Sequence, residues 1–415
     1  MKRKILKKMY TTRALFLAIG VMVMSVSPIV ATNSLAATQS TNNLASNKIL
    51  LIFNEEPLNI SLFSPIFLEQ VPAPQLKKII AELKLSFGVL KSVDVVDGKG
   101  FAYFEKAQVP VTIGFDDNNQ ISTLWFGSPK FINVKLDEAI KNLQDSAIGS
   151  KSLLITIDKK PIFADNNKTP MAVGSTFKLL VLKAYEEAIK AGKIKRDDVI
   201  LLEENSRSLP SGVLQMLPAK TPINLEILAQ LMIQSSDNTA TDNLIHLLKK
   251  SNIEIFSPRN SPLLTTREFF QLISSNNDEL RAKYSTSNQK GKNEILLGLD
   301  KLPLPDIDDI TKTATWQQAE WYMTTNEICA TLESIKDAPA LNNIHNPLFK
   351  NLNWKKIGFK GGSENGVLNF SFIGQTLQGK DVCVVFTANG DDKQPESKLA
   401  LQFIGLLQTL STVEK

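Results

Sequence analysis

Residues 174–180 read Gly-Ser-Thr-Phe-Lys-Leu-Leu and open a helical pattern that continues to about residue 191. Ser175 and Lys178 are three positions apart, so both lie on one face of the predicted helix. A serine oxygen in the first turn lies at the positive end of the helix dipole, which favours developing negative charge. A lysine desolvated beside it can lose its proton and act as a base. The stretch therefore predicts a nucleophile with its base, although alone it also fits a helix start with a solvated lysine.

A second motif, Ser236-Asp237-Asn238, follows one apolar helical stretch, residues 225–233, and precedes another, residues 239–248. A junction between two helices can present a hydroxyl and an amide to a substrate. Ser236 can relay a proton between a lysine and a leaving group, and Asn238 can bind an acylamide side chain. The alternative is a helix N-cap, for which these residue types are well suited.

The third motif, Lys360-Gly361-Gly362-Ser363, lies on a predicted strand. Glycines let a substrate backbone approach the edge of a strand. A lysine at this position can bind a carboxylate or tune the Ser236 hydroxyl. The alternative is a turn that carries an exposed lysine.

Strand patterns lie at both ends of the region 134–415, and helical patterns fill its middle. The terminal strands can pair only if both ends of the region meet in one sheet, so we expect an α+β domain that is an α/β sandwich with an inserted helical layer. The predicted strands are residues 152–157, 161–164, 357–359, 367–374 and 382–387. A last helix is predicted over residues 395–410.

Residues 48–133 predict a separate small α+β domain. A helical pattern over residues 74–87 precedes a meander of short strands separated by turn signals such as Asp97-Gly98. The predicted strands are residues 89–96, 101–104, 109–115 and 121–126. This region contains no chemical motif, which favours a structural or targeting role.

The three motifs, in this order, resemble the S-x-x-K, S-D-N and K-T-G motifs of class A β-lactamases and penicillin-binding proteins. The stretch from Leu209 to Gln215, together with residues 225–244, resembles the class A pattern closely. The resemblance covers about residues 140–410, and it implies a β-lactamase-like fold there. Residues 48–133 resemble the cystatin-like domains that precede β-lactamase-like domains in some bacterial proteins.

This resemblance implies a role for each matching residue. Ser175 would be acylated, Lys178 would be its general base, and Ser236 would shuttle the proton. Lys360 would support Ser236 and the substrate carboxylate. The backbone N–H groups of Ser175 and Ser363 would form the oxyanion hole. The substrate-binding positions that the resemblance implies are Asn238, Gly361, Gly362 and Ser363.

Two features depart from the family pattern. Class A enzymes carry a glutamate, in an E-x-x-L-N loop, that activates the water for deacylation. Here the loop looks largely deleted, Glu268 fits the first turn of a helix, and Glu294 in Glu-Ile-Leu-Leu-Gly comes too late in the chain. Gly361 replaces the usual Thr or Ser of the third motif. Ser363 or Ser371 would have to supply the missing hydroxyl. Acylation is therefore expected, whereas fast β-lactam turnover is in doubt.

Residues 1–36 are predicted to be a cleavable export signal, because a basic start and an apolar run (residues 14–30) lead to Ser34-Leu35-Ala36. The alternative is an uncleaved membrane anchor. The polar residues 37–47 predict a linker. The chain carries +5, and residues 1–36 contribute six positive and no negative side chains, so the remainder carries 5 − 6 = −1 and does not favour nucleic-acid binding.

Cysteines and histidines are rare in this chain. Cys329 and Cys383 are interpreted as two buried free thiols, although export would permit a disulfide. A zinc site or a Ser-His-Asp triad would have to use one of the two histidines, His246 and His345, which argues against both. No metal or cofactor is expected.

Together these observations predict an exported serine acyl hydrolase, periplasmic or secreted, that acts on β-lactam-type amides. Two alternatives remain open. One is an enzyme on other esters or amides, such as cell-wall peptides; the other is a β-lactam-binding protein or sensor with little turnover. The expected partners are a small-molecule substrate and the cell wall, and a monomer is expected.

Overall fold

The computed structural model describes residues 35–132, 134–342, 349 and 352–412, with the backbone alone for residues 35–42. The predicted signal peptide, residues 1–36, lies outside the described residues except for its last two positions. None of the helices in the described part is long and apolar enough to span a bilayer.

The described chain contains both helices and strands throughout its length, which confirms the α+β class. The helices are α1 Leu35–Asn54, α2 Pro65–Gln70, α3 Ala73–Phe87, α4 Leu136–Ser146, α5 Lys178–Lys190, α6 Leu225–Gln234, α7 Asn238–Leu248, α8 Lys250–Glu254, α9 Thr266–Leu272, α10 Asp278–Thr286, α11 Gln289–Leu299, α12 Thr325–Ile335 and α13 Glu396–Ser411. The strands are β1 Leu90–Val96, β2 Lys99–Phe104, β3 Ala107–Phe115, β4 Ile121–Phe126, β5 Lys130–Phe131, β6 Ser150–Ile157, β7 Lys160–Asp165, β8 Met171–Ala172, β9 Val199–Leu201, β10 Pro222–Asn224, β11 Tyr322–Met323, β12 Trp354–Glu364, β13 Val367–Thr376 and β14 Asp381–Asn389.

Two compact units divide the described chain. Of the described residues, the first contains 35–132, 134–146, 349, 352 and 396–412, and the second contains 147–342 and 353–395. This division places α4 and α13 in the first unit, whereas the boundary predicted at residue 134 assigns both helices to the hydrolase domain. That sequence-based boundary stays a prediction.

The first unit contains the predicted meander. Strands β1 to β4 are antiparallel neighbours in chain order, and β5 pairs with β3. The predicted helix over residues 74–87 is α3. The resemblance of this unit to cystatin-like domains stays a prediction.

The linker predicted at residues 37–47 is helical instead, because it forms the first half of α1. Ala45, Ile49 and Ile52 of this helix are buried in the core of the first unit. Phe53 packs edge-on against Phe104, with 5.1 Å between ring centroids. Burial of this apolar face stabilises a helix whose N-terminal half is too polar to predict one.

The second unit is built on one antiparallel sheet with the strand order β12-β13-β14-β6-β7. Strand β14, from the end of the unit, pairs with β6, from its beginning, so that Val385 is the partner of Leu154. The expectation that the terminal strands meet in one sheet is confirmed. β12 is the edge strand, and it carries the third motif.

A helical layer fills the middle of the second unit, as predicted. Helix α5 is its centre, because Leu179 to Leu182 are all buried in one core cluster with the apolar residues of α6 and α7. Asn224 caps α6 by accepting a hydrogen bond from the N–H of Ile227. Asp237 caps α7 in the same way through the N–H of Ala240. These caps set where the two helices begin, and so where the junction between them lies.

The two cysteines form a disulfide, so the prediction of free thiols is wrong. Cys329 on α12 and Cys383 on β14 are bonded, and their Cα atoms are 6.1 Å apart. Both residues are buried as expected. The sequence could not show the bond, because only the packing of α12 on the central strand brings the two residues together.

Replacing Cys329 and Cys383 together by alanine should lower the stability of the second unit. The bond closes a loop with a sequence separation of 54, and the chain-entropy model assigns about 4 kcal/mol to a loop of that size. We expect the melting temperature to fall by roughly 10 °C. Calorimetry of the wild type and the variant measures the difference, and a reductant should lower only the wild-type value. Equal melting temperatures would contradict the stabilising role of the bond.

Candidate active site

The predicted nucleophile lies in a tight turn that leads directly into α5. Residues Gly174–Phe177 form a 3-10 turn, and the N–H of Lys178 donates to the carbonyl of Ser175. Gly174 has φ +52°, in the left-handed region that favours glycine. Ser175 is half-buried, whereas Thr176 and Phe177 are fully buried. The turn therefore presents the serine while its neighbours anchor it.

Buried amides of the central strands hold this turn from the sheet side. Thr176 donates from Oγ1 to Oδ1 of Asn369, at 2.8 Å, and the Nδ2 of Asn369 donates to Thr387. Asn389 exchanges two hydrogen bonds with the backbone of Ala172, both at 2.9 Å. Because both side chains belong to β13 and β14, the position of Ser175 depends on the sheet.

Gly362 lets strand β12 approach the nucleophile turn. A Cβ atom at this position would lie 2.0 Å from the carbonyl oxygen of Val173 and 2.9 Å from the backbone nitrogen of Ser175. A Cβ atom on Gly174 would likewise lie 3.1 Å from the nitrogen of Ser363. The backbone nitrogens of Ser175 and Ser363 therefore border one small region, as a two-N–H oxyanion hole requires.

Lys178 is fully buried, so the alternative of a solvated lysine is wrong. Its Nζ donates to the carbonyl of Ser236 at 2.6 Å, to Oγ of Ser236 at 3.1 Å and to Oδ1 of Asn238 at 2.6 Å. Burial lowers the pKa of Lys178 to about 7, against the opposing attraction of Asp237, Asp242 and Glu364. A substantial fraction of this amine is therefore neutral near pH 7 and able to accept a proton.

Ser236 lies between two buried lysines. It has φ +52° at the junction of α6 and α7, and its Oγ is 3.1 Å from Nζ of Lys178 and 3.0 Å from Nζ of Lys360. Lys360 is 2% exposed, so the alternative of an exposed lysine in a turn is wrong. Its Nζ also donates to the carbonyl of Gly361 at 2.5 Å. Burial, and then the charge of Lys178, hold the pKa of Lys360 well below its usual range.

The remaining residues of the second motif organise the surroundings of Lys178. Asp237 is the N-cap of α7, as the alternative interpretation of the motif expects, and its other oxygen accepts from the N–H groups of Val213 and Leu214, at 2.6 and 2.9 Å. Asn238 uses Oδ1 for Lys178 and Nδ2 for the carbonyl of Leu209, at 2.9 Å. Both ends of the Asn238 amide are thus occupied within the protein, and its substrate-binding role stays a prediction.

The structure brings together the side chains of Lys178, Ser236 and Lys360, and it sets Gly362 against the backbone of Ser175 and Ser363 against Gly174. Three other hydroxyl and carboxyl candidates lie elsewhere. Ser371 is fully buried and donates to Asn369 at 2.5 Å. Glu268 forms a capping box with Thr265 and an ion pair with Lys250, at 2.6 Å, so its assignment to the helix start is confirmed. Glu294 is exposed on α11.

Sequence analysis missed two buried carboxyls near these residues. Asp242 accepts from the N–H groups of Thr266 and Arg267, and burial raises its pKa to about 7. Glu320 accepts from the N–H groups of Gly174 and Trp321. Neither residue belongs to a recognisable motif, so each can be identified only from its buried position in the fold. Among the described residues, no group of three His, Cys, Asp or Glu is placed to hold a metal ion.

Comparison with known proteins gives one family and a set of distant structures. Residues 135–290 match the model of the β-lactamase enzyme family. A β-lactamase from Sphaerobacter thermophilus is 18% identical with a TM-score of 0.46, over 66% of this chain and 95% of that chain. PBP-A is 15% identical with a TM-score of 0.44, over 66% and 94%. A β-lactamase from Chitinophaga pinensis is 14% identical with a TM-score of 0.43, over 66% and 96%. No curated protein sequence matches the chain.

The family match includes the Ser175–Lys178 pair and the Ser236-Asp237-Asn238 motif. Lys360 lies beyond the matched residues, and the sheet brings it to Ser236. Residues 135–290 are therefore similar to the β-lactamase enzyme family.

Proposed function

We propose that the protein is an exported serine acyl hydrolase that forms an acyl-enzyme on Ser175 with β-lactam-type amides. The observation that carries this proposal is the Ser236 hydroxyl held between the buried amines of Lys178 and Lys360, at 3.1 and 3.0 Å. A hydroxyl in this position can pass protons between a base and a leaving group, and two lysines this close and this buried are not both charged near neutral pH.

Acylation follows from these contacts. Neutral Lys178 takes the proton of the Ser175 hydroxyl as its oxygen attacks the carbonyl carbon of the amide. The N–H groups of Ser175 and Ser363 stabilise the oxyanion. The C–N bond then breaks, and the proton reaches the leaving nitrogen through Ser236, which is hydrogen-bonded to Lys178. The product of this step is the Ser175 ester: with a β-lactam the amine formed by ring opening stays attached to the acyl group, whereas a linear amide releases its amine.

The lack of an evident base for deacylation favours a second candidate function. Residues 255–265 contain no Asp or Glu, and Glu268 is engaged in its capping box and ion pair. Water attack on the ester needs a base, so a long-lived acyl-enzyme would make the protein a β-lactam-binding protein or sensor. Gly361 also supplies no side-chain hydroxyl for a carboxylate, which leaves other esters, amides and cell-wall peptides as substrate classes.

The export part of the proposal rests on residues 1–36 alone, whose basic start, apolar run and small-residue site are typical of a secretory signal. The expected location is the periplasm or the medium. In that location the substrate would be a small molecule or a cell-wall peptide, and a monomer suffices because the candidate site is built from one unit.

The central test is intact-protein mass spectrometry of the purified protein mixed with a penicillin or a cephalosporin and followed over time. We expect a covalent adduct of the drug on Ser175. A transient adduct with loss of drug would mean turnover, and a persistent adduct would mean the binding or sensor function.

Ser175→Ala should abolish the adduct, and Ser334→Ala is the matched control because Ser334 is an exposed serine on α12. No adduct with either drug would move the substrate to another ester or amide. Adduct formation or hydrolysis that survives Ser175→Ala would overturn the mechanism.

The rate of acylation should rise with pH. Below pH 7 Lys178 is largely protonated and cannot accept the proton of Ser175, whereas above pH 7 it is largely neutral, since burial lowers its pKa to about 7. We therefore expect the acylation rate constant to increase through about pH 7 and then level off. Quenched time courses between pH 5 and 9 measure it.

Lys190→Met is the control for that profile, because Lys190 is exposed at the end of the same helix. Its profile should match the wild type, and Lys178→Met should acylate slowly at every pH. A wild-type rate that is flat or falls as the pH rises through 7 would rule out Lys178 as the base.

A further inference from the structure

A buried carboxyl that no motif predicts lies beside the nucleophile turn. Glu320 is 8% exposed, and the backbone N–H groups of Gly174 and Trp321 donate to its carboxyl, the latter to Oε1 at 2.8 Å. Gly174 immediately precedes Ser175 and holds φ +52°. A side chain 146 positions further along the chain than Gly174 thus binds the backbone at the point where the nucleophile turn begins.

The residues that follow Glu320 clamp the same turn. The carbonyl of Trp321 accepts from the N–H of Val173 at 3.0 Å, and its indole ring stacks on Phe177 with 3.9 Å between centroids. The indole Nε1 donates to Leu264 at 3.0 Å. Tyr322 then pairs with Ala172 as strand β11 meets β8. Glu320 therefore lies directly before a segment that contacts residues 172, 173 and 177.

Two ionisable groups face Glu320 within this unit. Burial, and then repulsion from Glu364 on β12, hold the pKa of Glu320 well above its usual range. Tyr322 lies on the same segment, and its own pKa is raised to about 12 by burial and then by Glu320. This shift disfavours the ionised form of the Glu320 carboxyl, and so it disfavours a negative charge next to the oxyanion.

We propose that Glu320 is a positioning residue of the nucleophile turn: its buried carboxyl accepts the N–H of Gly174 and so fixes the backbone from which Ser175 and its oxyanion-hole N–H project. It does not touch the substrate. Its effect on acylation rests on the proposed function, whereas its effect on the Gly174 N–H does not.

The physical need for such a residue follows from the turn itself. Gly174 is left-handed and begins the 3-10 turn, so its N–H lies outside the helical hydrogen bonds of α5. A buried N–H without an acceptor is strongly unfavourable, and the turn would shift to find one. Shifts of about 1 Å in reacting groups slow enzymes by up to about a hundredfold.

Hydrogen–deuterium exchange of the peptide that spans residues 171–177 tests the proposal without any substrate. Glu320→Leu removes the acceptor and should speed exchange at Gly174 and Ser175 by about tenfold or more relative to the wild type. Glu320→Gln keeps a carbonyl acceptor and should stay near the wild type. Glu320→Asp retracts the carboxyl by one methylene and should exchange faster than Glu320→Gln, which keeps the test decisive if Glu320→Leu does not fold.

Glu333 supplies the matched control. It is a half-buried glutamate on α12 whose pKa is also raised by burial, and its facing charges are Lys336, Asp381, Lys159 and Asp158. Glu333→Leu should leave exchange at residues 171–177 unchanged. If Glu320→Leu and Glu320→Asp exchange there like the wild type, or if Glu333→Leu speeds exchange equally, the positioning role is overturned.

Acylation kinetics give the second readout. For a drug that acylates the wild type, Glu320→Leu and Glu320→Asp should lower the acylation rate constant by about tenfold to a hundredfold with little change in the initial binding constant. Glu320→Gln should restore most of the rate. A wild type that no drug or ester acylates would refute the proposed function alone, because the exchange result stands without it.

Discussion

The candidate site depends on one shared hydrogen-bond acceptor. The hydroxyl of Ser236 accepts hydrogen bonds from the buried amines of Lys178 and Lys360. Lys178 belongs to the helical layer, and Lys360 belongs to an edge strand of the sheet. Burial lowers the pKa of both amines, and the charge of Lys178 lowers the pKa of Lys360 further. An ordinary surface lysine is protonated at neutral pH and useless as a base. Here the packing of a helix against a strand makes a base available.

That packing is itself fixed by polar side chains buried beneath the nucleophile turn. Asn369 and Asn389 reach from the central strands to Thr176 and Ala172, and Glu320 reaches Gly174 from the opposite segment. Each of these groups finds a partner in the interior, where an unpaired polar atom is costly. The turn is thereby held from two sides, which is the preorganisation that an oxyanion hole needs.

Much of this could be predicted from local pattern. The three motifs, the meander of the first unit and the pairing of terminal strands in the second follow from residue periodicity and from the order of segments, and the structure contains them. Helix α1 and the Cys329–Cys383 bond were not predictable in the same way. Helix α1 depends on the burial of Ala45, Ile49 and Ile52 against core residues that come later in the sequence. The disulfide depends on the packing of α12 on β14.

The sequence by itself determined which chemical groups are present and in what order: a serine and a lysine one turn apart, a Ser-Asp-Asn junction between helices, and a lysine with two glycines on a strand. Spacing within one helix or strand is a local property, so these placements needed no tertiary information. Only the tertiary structure decided that the two lysines are buried on one hydroxyl and that Glu320 lies against Gly174. Burial and contact between residues far apart in the chain depend on the whole packed core, and local pattern does not record them.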